Sequence, residues 1–390
     1  MILDNNIQVF FGLVRAGLWA DANDNLNDNH NFFEGVDWEE VYRLAEEQSV
    51  VGLVSAGLDW FKVHDSRFTV PQTVVLQFVG QTLQIEQQNK AMNEFVAKLI
   101  DKLRKHDIYA LLVKGQGVAQ CYDRPLWRMC GDVDLLLSED NYEKAKKVLL
   151  PLASDVESEY THFKHLGMTI NGWVVELHGR LHCGLSSKIE RELYAVQDET
   201  FNGGQIRYWM NVRTQIFLLS AENEVFYLIT HILQHFYKGG IGIRQICDWC
   251  RLLYTYRDTL NVPLLESRLR KAGLMSEWKA FAAFAVEYLG MPVEAMPLYN
   301  EDDNQNKRLH RQAKMICDFV MEVGNFGHNR EVRTMNSRTK GRVGYLRRKL
   351  KSLCGRLSDM LRHFSLFPLD SIRFFGGVIR SGLHAAVRGE

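Results

Sequence analysis

Asp132 and Asp134 stand two residues apart at the head of an apolar run that continues through Leu137. On a strand, residues i and i+2 point to one face, roughly 7 Å apart along the chain. Two carboxylates therefore converge on one side while Val133 and Leu135 face the other. Carboxylate oxygens are the ligands that hard cations such as Mg²⁺ or Mn²⁺ select, usually with substrate phosphates completing the shell. A pair of such ions activates a hydroxyl and steadies a departing pyrophosphate. That chemistry calls for a third carboxylate, and Glu176 within Val174-Val175-Glu176-Leu177-His178 supplies it from another strand-like segment. Lys114-Gly115 ends an earlier apolar run. Glycine there lets backbone approach a phosphate, and Lys114 and Arg128 carry charge that neutralises one.

Further residues belong to the same chemistry. His178 shares a strand face with Glu176, where it orients that carboxylate or an acceptor; a strand-end hydrogen bond is the plainer alternative. His231 and His235 lie four apart, on one face of a helix. The preferred reading places them, with Arg244 and Asp248, along a cleft facing the carboxylates. A second reading makes the two histidines half of a zinc site completed by His178, Asp248 or Cys247. Cys247-Asp248-Trp249-Cys250 is a lone C-x-x-C in a helical pattern and reads as packing.

Positioning these groups requires a sheet between helices. Ile108 to Val113 predicts a buried strand, and Val133 to Leu137 a second one. Ser138 followed by Glu139 and Asp140 marks a helix start. Phe163 to Ile170 and Trp173 to His178 predict two strands joined at Asn171-Gly172, the preferred pair for a tight hairpin. Upstream, Asp37 caps a helix and Leu76 to Lys105 forms a long amphipathic one. Downstream from Thr214 the pattern is helical: Ile216 to Tyr237, Ile246 to Tyr256, Pro263 to Leu274, Trp278 to Leu289 and Arg311 to Val323. Asp21 to Asn31 reads as a polar loop.

Lys114-Gly115, Tyr122, Pro125, Arg128 and Gly131-Asp132-Val133-Asp134-Leu135-Leu136 resemble the bacterial uncharacterised nucleotidyltransferase family, a branch of the DNA polymerase β-like nucleotidyltransferase superfamily. Glu176-Leu177-His178 is similar to that family's acidic-x-His element. His231-x-x-x-His235, then Arg244 and Asp248, resemble its helical C-terminal signature. The resemblance runs from about Asp37 to about Tyr256. It implies an α+β fold with a small mixed-sheet nucleotidyltransferase core. It implies Mg²⁺ (or Mn²⁺) on Asp132, Asp134 and Glu176, and an NTP donor, ATP for preference, whose nucleotide passes to a hydroxyl of an unspecified acceptor. Lys114, Gly115, Gln116 and Arg128 would bind the nucleotide. The superfamily commonly has Ser after the strand-end glycine, where this chain has Gln116. A catalytically idle binding or scaffold protein, and a histidine-based metalloprotein, are the alternatives.

The expected organisation is an N-terminal helical region over 1–105, the α/β core over 106–210, a helical domain over 211–330 and a basic tail over 331–390. The 390 residues are 46% hydrophobic and 24% charged with zero formal net charge, which excludes a largely disordered chain. The charge is unevenly spread: Arg330 to Glu390 holds 14 Lys/Arg and 4 Asp/Glu. Basic residues interleaved with apolar ones, from Tyr345 to Ile379, suit an anionic membrane surface through residues 340–380, or RNA, or packing on the body. No apolar run reaches the roughly 18 residues of a membrane span. Seven scattered cysteines and an N-terminus without a basic leader region predict a cytoplasmic setting.

Overall fold

A computed structural model describes residues 4–19, 33–65, 68–324, 361–368, 371, 372 and 374. The chain opens with α1 (Asn5–Leu18), α2 (Trp38–Glu47), α3 (Val51–His64) and the long α4 (Gln72–Arg104). Asp37 caps α2 by accepting from the backbone N–H groups of Glu39 and Glu40. The predicted polar loop from Asp21 to Asn31 lies outside the described residues.

The central part contains β1 (Ala110–Val113), α5 (Gly115–Ala119), β2 (Asp132–Leu137), α6 (Glu139–Leu149), β3 (Asp155–Val156), β4 (His165–Ile170), β5 (Trp173–His178), α7 (Ser187–Phe201), β6 (Ile206–Asn211) and β7 (Thr214–Leu219). One mixed sheet results, ordered β3-β4-β5-β2-β1-β7-β6. Two of its pairings, β1 with β7 and β2 with β5, are parallel. Ser138 caps α6 through the N–H of Asn141. Asn171 and Gly172 both take positive φ, +52° and +81°, as a two-residue hairpin between the paired Ile170 and Trp173 requires.

After the sheet come α8 (Ala221–Lys238), α9 (Ile243–Tyr256), α10 (Val262–Ala272), α11 (Met275–Leu289), α12 (Glu301–Asn304) and α13 (Lys307–Val323). The expectation of helix from Ile216 is corrected: Thr214 to Leu219 is a strand paired with Ile206 to Asn211. The sheet thus extends past residue 210. Ile216-Phe217-Leu218-Leu219 runs straight into the apolar α8, so hydrophobicity alone leaves no visible border.

Alternation splits β2 cleanly. Val133, Leu135 and Leu137 join a core with Met92 to Leu103 of α4 and with Tyr142, Ala145 and Leu149 of α6. The opposite face, carrying Asp132, Asp134 and Leu136, looks toward the helices that follow the sheet. Leu136 joins a second core that also draws on α1, α3, α8, α9, α11 and α13. Among the described residues no helix is long and apolar enough to cross a membrane. The basic run Tyr345 to Leu353 lies outside the described residues. Of the tail, residues 361–366 are helical, and Leu366, Phe367 and Phe374 are buried. The ring of His363 packs 4.5 Å from Phe236, and Gln312 donates to the Leu366 carbonyl at 2.9 Å.

Candidate active site

Parallel pairing of β2 with β5 sets Asp134 directly beside Glu176. Paired residues in a sheet share a face, so Asp132, Asp134, Glu176 and His178 project together. Carboxylate oxygens of Asp132, Asp134 and Glu176 all lie within 4.8 Å of one another. Lys114, at the end of β1, places its ammonium 2.7 Å from Asp134 Oδ1. His178 Nε2 approaches the same oxygen at 2.8 Å and Glu176 Oε2 at 3.4 Å.

The electrostatics follow from this crowding. The Asp132 carboxyl is pushed above its ordinary pKa, first by the charge of Asp134 and then by burial, against the pull of Lys114. Burial alone would raise Glu176, but hydrogen bonds with His165 and His178 and the charge of Lys114 hold it well below the usual carboxylate range. Burial would lower Lys114; the Asp134 carboxylate outweighs it and keeps the ammonium charged. His178 is raised in the same way, its hydrogen bonds to Asp134 and Glu176 overcoming burial.

Lys114 is held in an unusual backbone conformation, φ +58° and ψ −146°. That region is sparsely populated by residues with a Cβ and carries strain of about 1–3 kcal/mol. Glu224 of α8 accepts from the Lys114 backbone N–H at 3.1 Å and is itself ion-paired with Arg207. Gly115 follows at φ +41°, and its Cβ would come within 3.4 Å of the Asp132 carbonyl. The Tyr227 ring centroid lies 5.9 Å from the Lys114 ammonium, and burial raises this phenol to about 12.

The remaining expected residues have other partners. Arg128 makes a bidentate pair with Asp248, at 2.7 and 2.5 Å, both side chains buried. Tyr122 donates to the same carboxylate at 2.8 Å. The phosphate contact expected of Arg128, and the cleft-facing role expected of Asp248, give way to this internal pair. Gln116 is likewise committed: its amide donates to Asn89 Oδ1 at 2.9 Å, and Asn89 in turn binds the carbonyls of Leu126 and Arg128, at 2.7 Å each. The Gln116 Oε1 is buried without a hydrogen-bond partner among the described residues.

His231 and His235 bond to each other, Nε2 to Nε2, at 3.2 Å. Burial and then the charge of Lys114 lower both, His235 to about 4, so the pair is neutral at pH 7. The groups of three or more metal-ligating side chains among the described residues are Asp132-Asp134-Glu176 and His165-Glu176-His178. The zinc site of the second reading, around His231 and His235, is not among them: Asp248 is held by Arg128, and Cys247 is buried in packing.

Arg244 donates to the Met129 carbonyl at 2.6 Å, while its Nε is buried without a partner. It lines a cavity of about 270 Å³ together with Leu53, Trp60, His64, Trp127 and Met129. Two residues separate Met129 from Asp132, so their Cα atoms are at most about 11 Å apart.

Sequence reasoning passed over His165, Glu224, Tyr227 and Asn89. His165 was within reach. Counting outward from the Asn171-Gly172 turn sets His165 opposite His178 on the carboxylate face. The other three act across gaps of 27 to 113 residues, for which one sequence carries no local signal.

A strand-borne carboxylate trio beside a lysine and a glycine turn is a donor set that could hold a metal ion. The chain belongs to the family described as uncharacterised nucleotidyltransferase, which it matches over residues 34–290. No curated protein and no solved structure matches it significantly.

Proposed function

We propose that the protein transfers a nucleotide from an NTP to a hydroxyl, with divalent metal at Asp132, Asp134 and Glu176. The observation that carries this is the convergence of three carboxylates on one sheet face beside Lys114. The donor set fits the ion: three carboxylate ligands, that of Asp134 buried. Bound there, Mg²⁺ or Mn²⁺ would polarise the transferring phosphate and stabilise the charge of the leaving pyrophosphate.

The chain's own residues do the rest. Lys114 stands where it can exchange Asp134 for a phosphate oxygen when an anionic ligand enters. Gly115 and the N–H groups opening α5 let phosphate approach backbone. His178 holds Asp134 and Glu176 in register through its hydrogen bonds to both. Arg128 and Asp248 act by positioning: they fix the loop that leads into Gly131 and Asp132.

The cavity beside Arg244 is the place proposed for the acceptor. Its walls are mostly apolar, with Trp60 and Trp127, and they also carry Asp59, Asp123, Arg124, Arg128 and Arg244, the last with its Nε unspent. ATP is the expected donor and the cytoplasm the expected compartment; the free, scattered cysteines among the described residues suit a reducing environment.

The deciding experiment is calorimetric titration of each NTP with Mg²⁺ into wild type and into Asp132→Ala/Asp134→Ala. Metal-dependent binding that disappears in the variant is the expected result. A folded wild type that binds no NTP in the presence of Mg²⁺ would move the assignment to a non-catalytic scaffold.

A further inference from the structure

We propose that His165, Glu176 and His178 form a second cation site, one suited to Zn²⁺, that shares Glu176 with the carboxylate trio. The site is built by register. His165 on β4 pairs with His178 on β5, and Glu176 lies two residues before His178, on the same face. Opposite Glu176 stands Gly167, and the carboxylate of Glu157 lies over it on that face.

The distances suit a small tetrahedral ion. His165 Nε2 is 3.2 Å from Glu176 Oε2 and His178 Nε2 is 3.4 Å from it, with all three ligand atoms inside 4.8 Å. Zinc bonds of 2.0–2.1 Å in tetrahedral array place neighbouring ligand atoms roughly 3.4 Å apart. Octahedral Mg²⁺ at similar bond lengths asks for about 3.0 Å.

Donor chemistry separates the two sets. Three carboxylates favour hard ions; two imidazoles and one carboxylate favour zinc over magnesium. The side chains of His165 and Glu176 are 25% and 27% exposed, so one side of the site is open to a water or an acceptor oxygen. Lys114 does not fill it, because its ammonium is on Asp134.

Sharing has a consequence. His178 Nε2 also touches Asp134 at 2.8 Å, so an ion drawing on His178 and Glu176 takes a hydrogen-bond partner from one metal ligand and claims another outright. Zinc and magnesium therefore antagonise each other, and by linkage the effect is reciprocal.

The test is titration of Zn²⁺ into the full-length, metal-free chain without nucleotide. One equivalent is expected to bind. His165→Ala should weaken it at least tenfold, the smallest effect seen even for outer-shell losses. His165→Asp, which restores a ligand, should recover much of the affinity; Asp132→Ala and His231→Ala should retain it. Saturating Mg²⁺ should weaken zinc binding to wild type. Absence of zinc binding, binding that survives His165→Ala, or binding lost instead with Asp132→Ala or His231→Ala would each overturn the assignment. Neither nucleotide nor turnover enters the readout, so this result and that of the NTP titration stand independently.

Discussion

Asp132 sits beside a second carboxylate and is largely buried, and both effects disfavour its charged form. A carboxyl whose folded pKa is raised contributes stability that is complete below its unfolded pKa and is lost as pH rises through the folded one. Asp132→Asn removes that loss. In metal-free buffer at pH 7 the variant should melt above wild type, and the difference should vanish below about pH 4, where the unfolded carboxyl is also protonated. Thermal melts across that range check it; coincident midpoints at pH 7 would refute the reading. The Arg128–Asp248 pair has the opposite character. Asp248→Ala leaves a buried guanidinium uncompensated and should cost about 3–5 kcal/mol in urea unfolding. Restoring the volume with a matched apolar pair, Arg128→Met/Asp248→Leu, should recover most of that. The sequence made the carboxylate trio legible, because Asp132, Asp134 and Glu176 each announce a strand face by alternation. Arg128 and Gln116 were misplaced for a physical reason: residue type and proximity cannot reveal that Asp248 and Asn89, 120 and 27 positions away, reach them first.

Two hairpins teach the same lesson at the scale of elements. Asn171-Gly172 spells out its turn, and β4 and β5 were accordingly expected where they are found. Between β6 and β7 the loop is Val212-Arg213, and Val212 adopts φ +57° although it is β-branched. Nothing in those two residues announces a turn, so β6 was passed over and β7 was read as the start of a helix. A β-branched residue there is strained, while Asn and Gly tolerate the region. Val212 is also 81% exposed and loses little packing when replaced. Val212→Gly should therefore stabilise the protein by about 0.5–1 kcal/mol. Chemical denaturation measures it, and a destabilised variant would mean the turn is relaxed as it stands. Glu224 offers a second test on α8. Glu224→Gln keeps its shape but removes the charge that pairs the buried Arg207 and weakens its hold on the Lys114 backbone, so nucleotide affinity should fall by several-fold and the melting midpoint should fall with it.

The whole molecule is tied together by contacts between its ends. Arg15 donates to the carbonyls of Glu287 and Tyr288, and Trp19 to that of Leu289 at 2.6 Å. Gln48 bridges the Val320 carbonyl and the Ile243 N–H. One apolar core joins Val9 to Val323 and onward to Phe374. Helices before and after the sheet therefore form one layer, although these contacts join residues 195 to 273 positions apart. A chain lacking residues 1–64 should not yield a folded nucleotide-binding protein. Intact protein should lose the tryptophan signals of Trp19 and Trp278 in a single transition. Two separated transitions would show that the terminal helices fold on their own.

The parallel union of β2 and β5 carries a lesson for how such a protein can change over time. Asp134 meets Glu176 because neither strand can slide: a one-residue shift would turn every side chain of that strand to the opposite face. The 38 residues between Leu137 and Glu176 contain α6, β3 and β4, and the stretch from Leu150 to Lys164 is largely solvent-exposed loop. Lineages that keep the chemistry are thus free to gain or lose length in that stretch. They should tolerate none within Asp132 to Leu137 or Trp173 to His178. Gaps among relatives ought to pile up in the first place and be missing from the second.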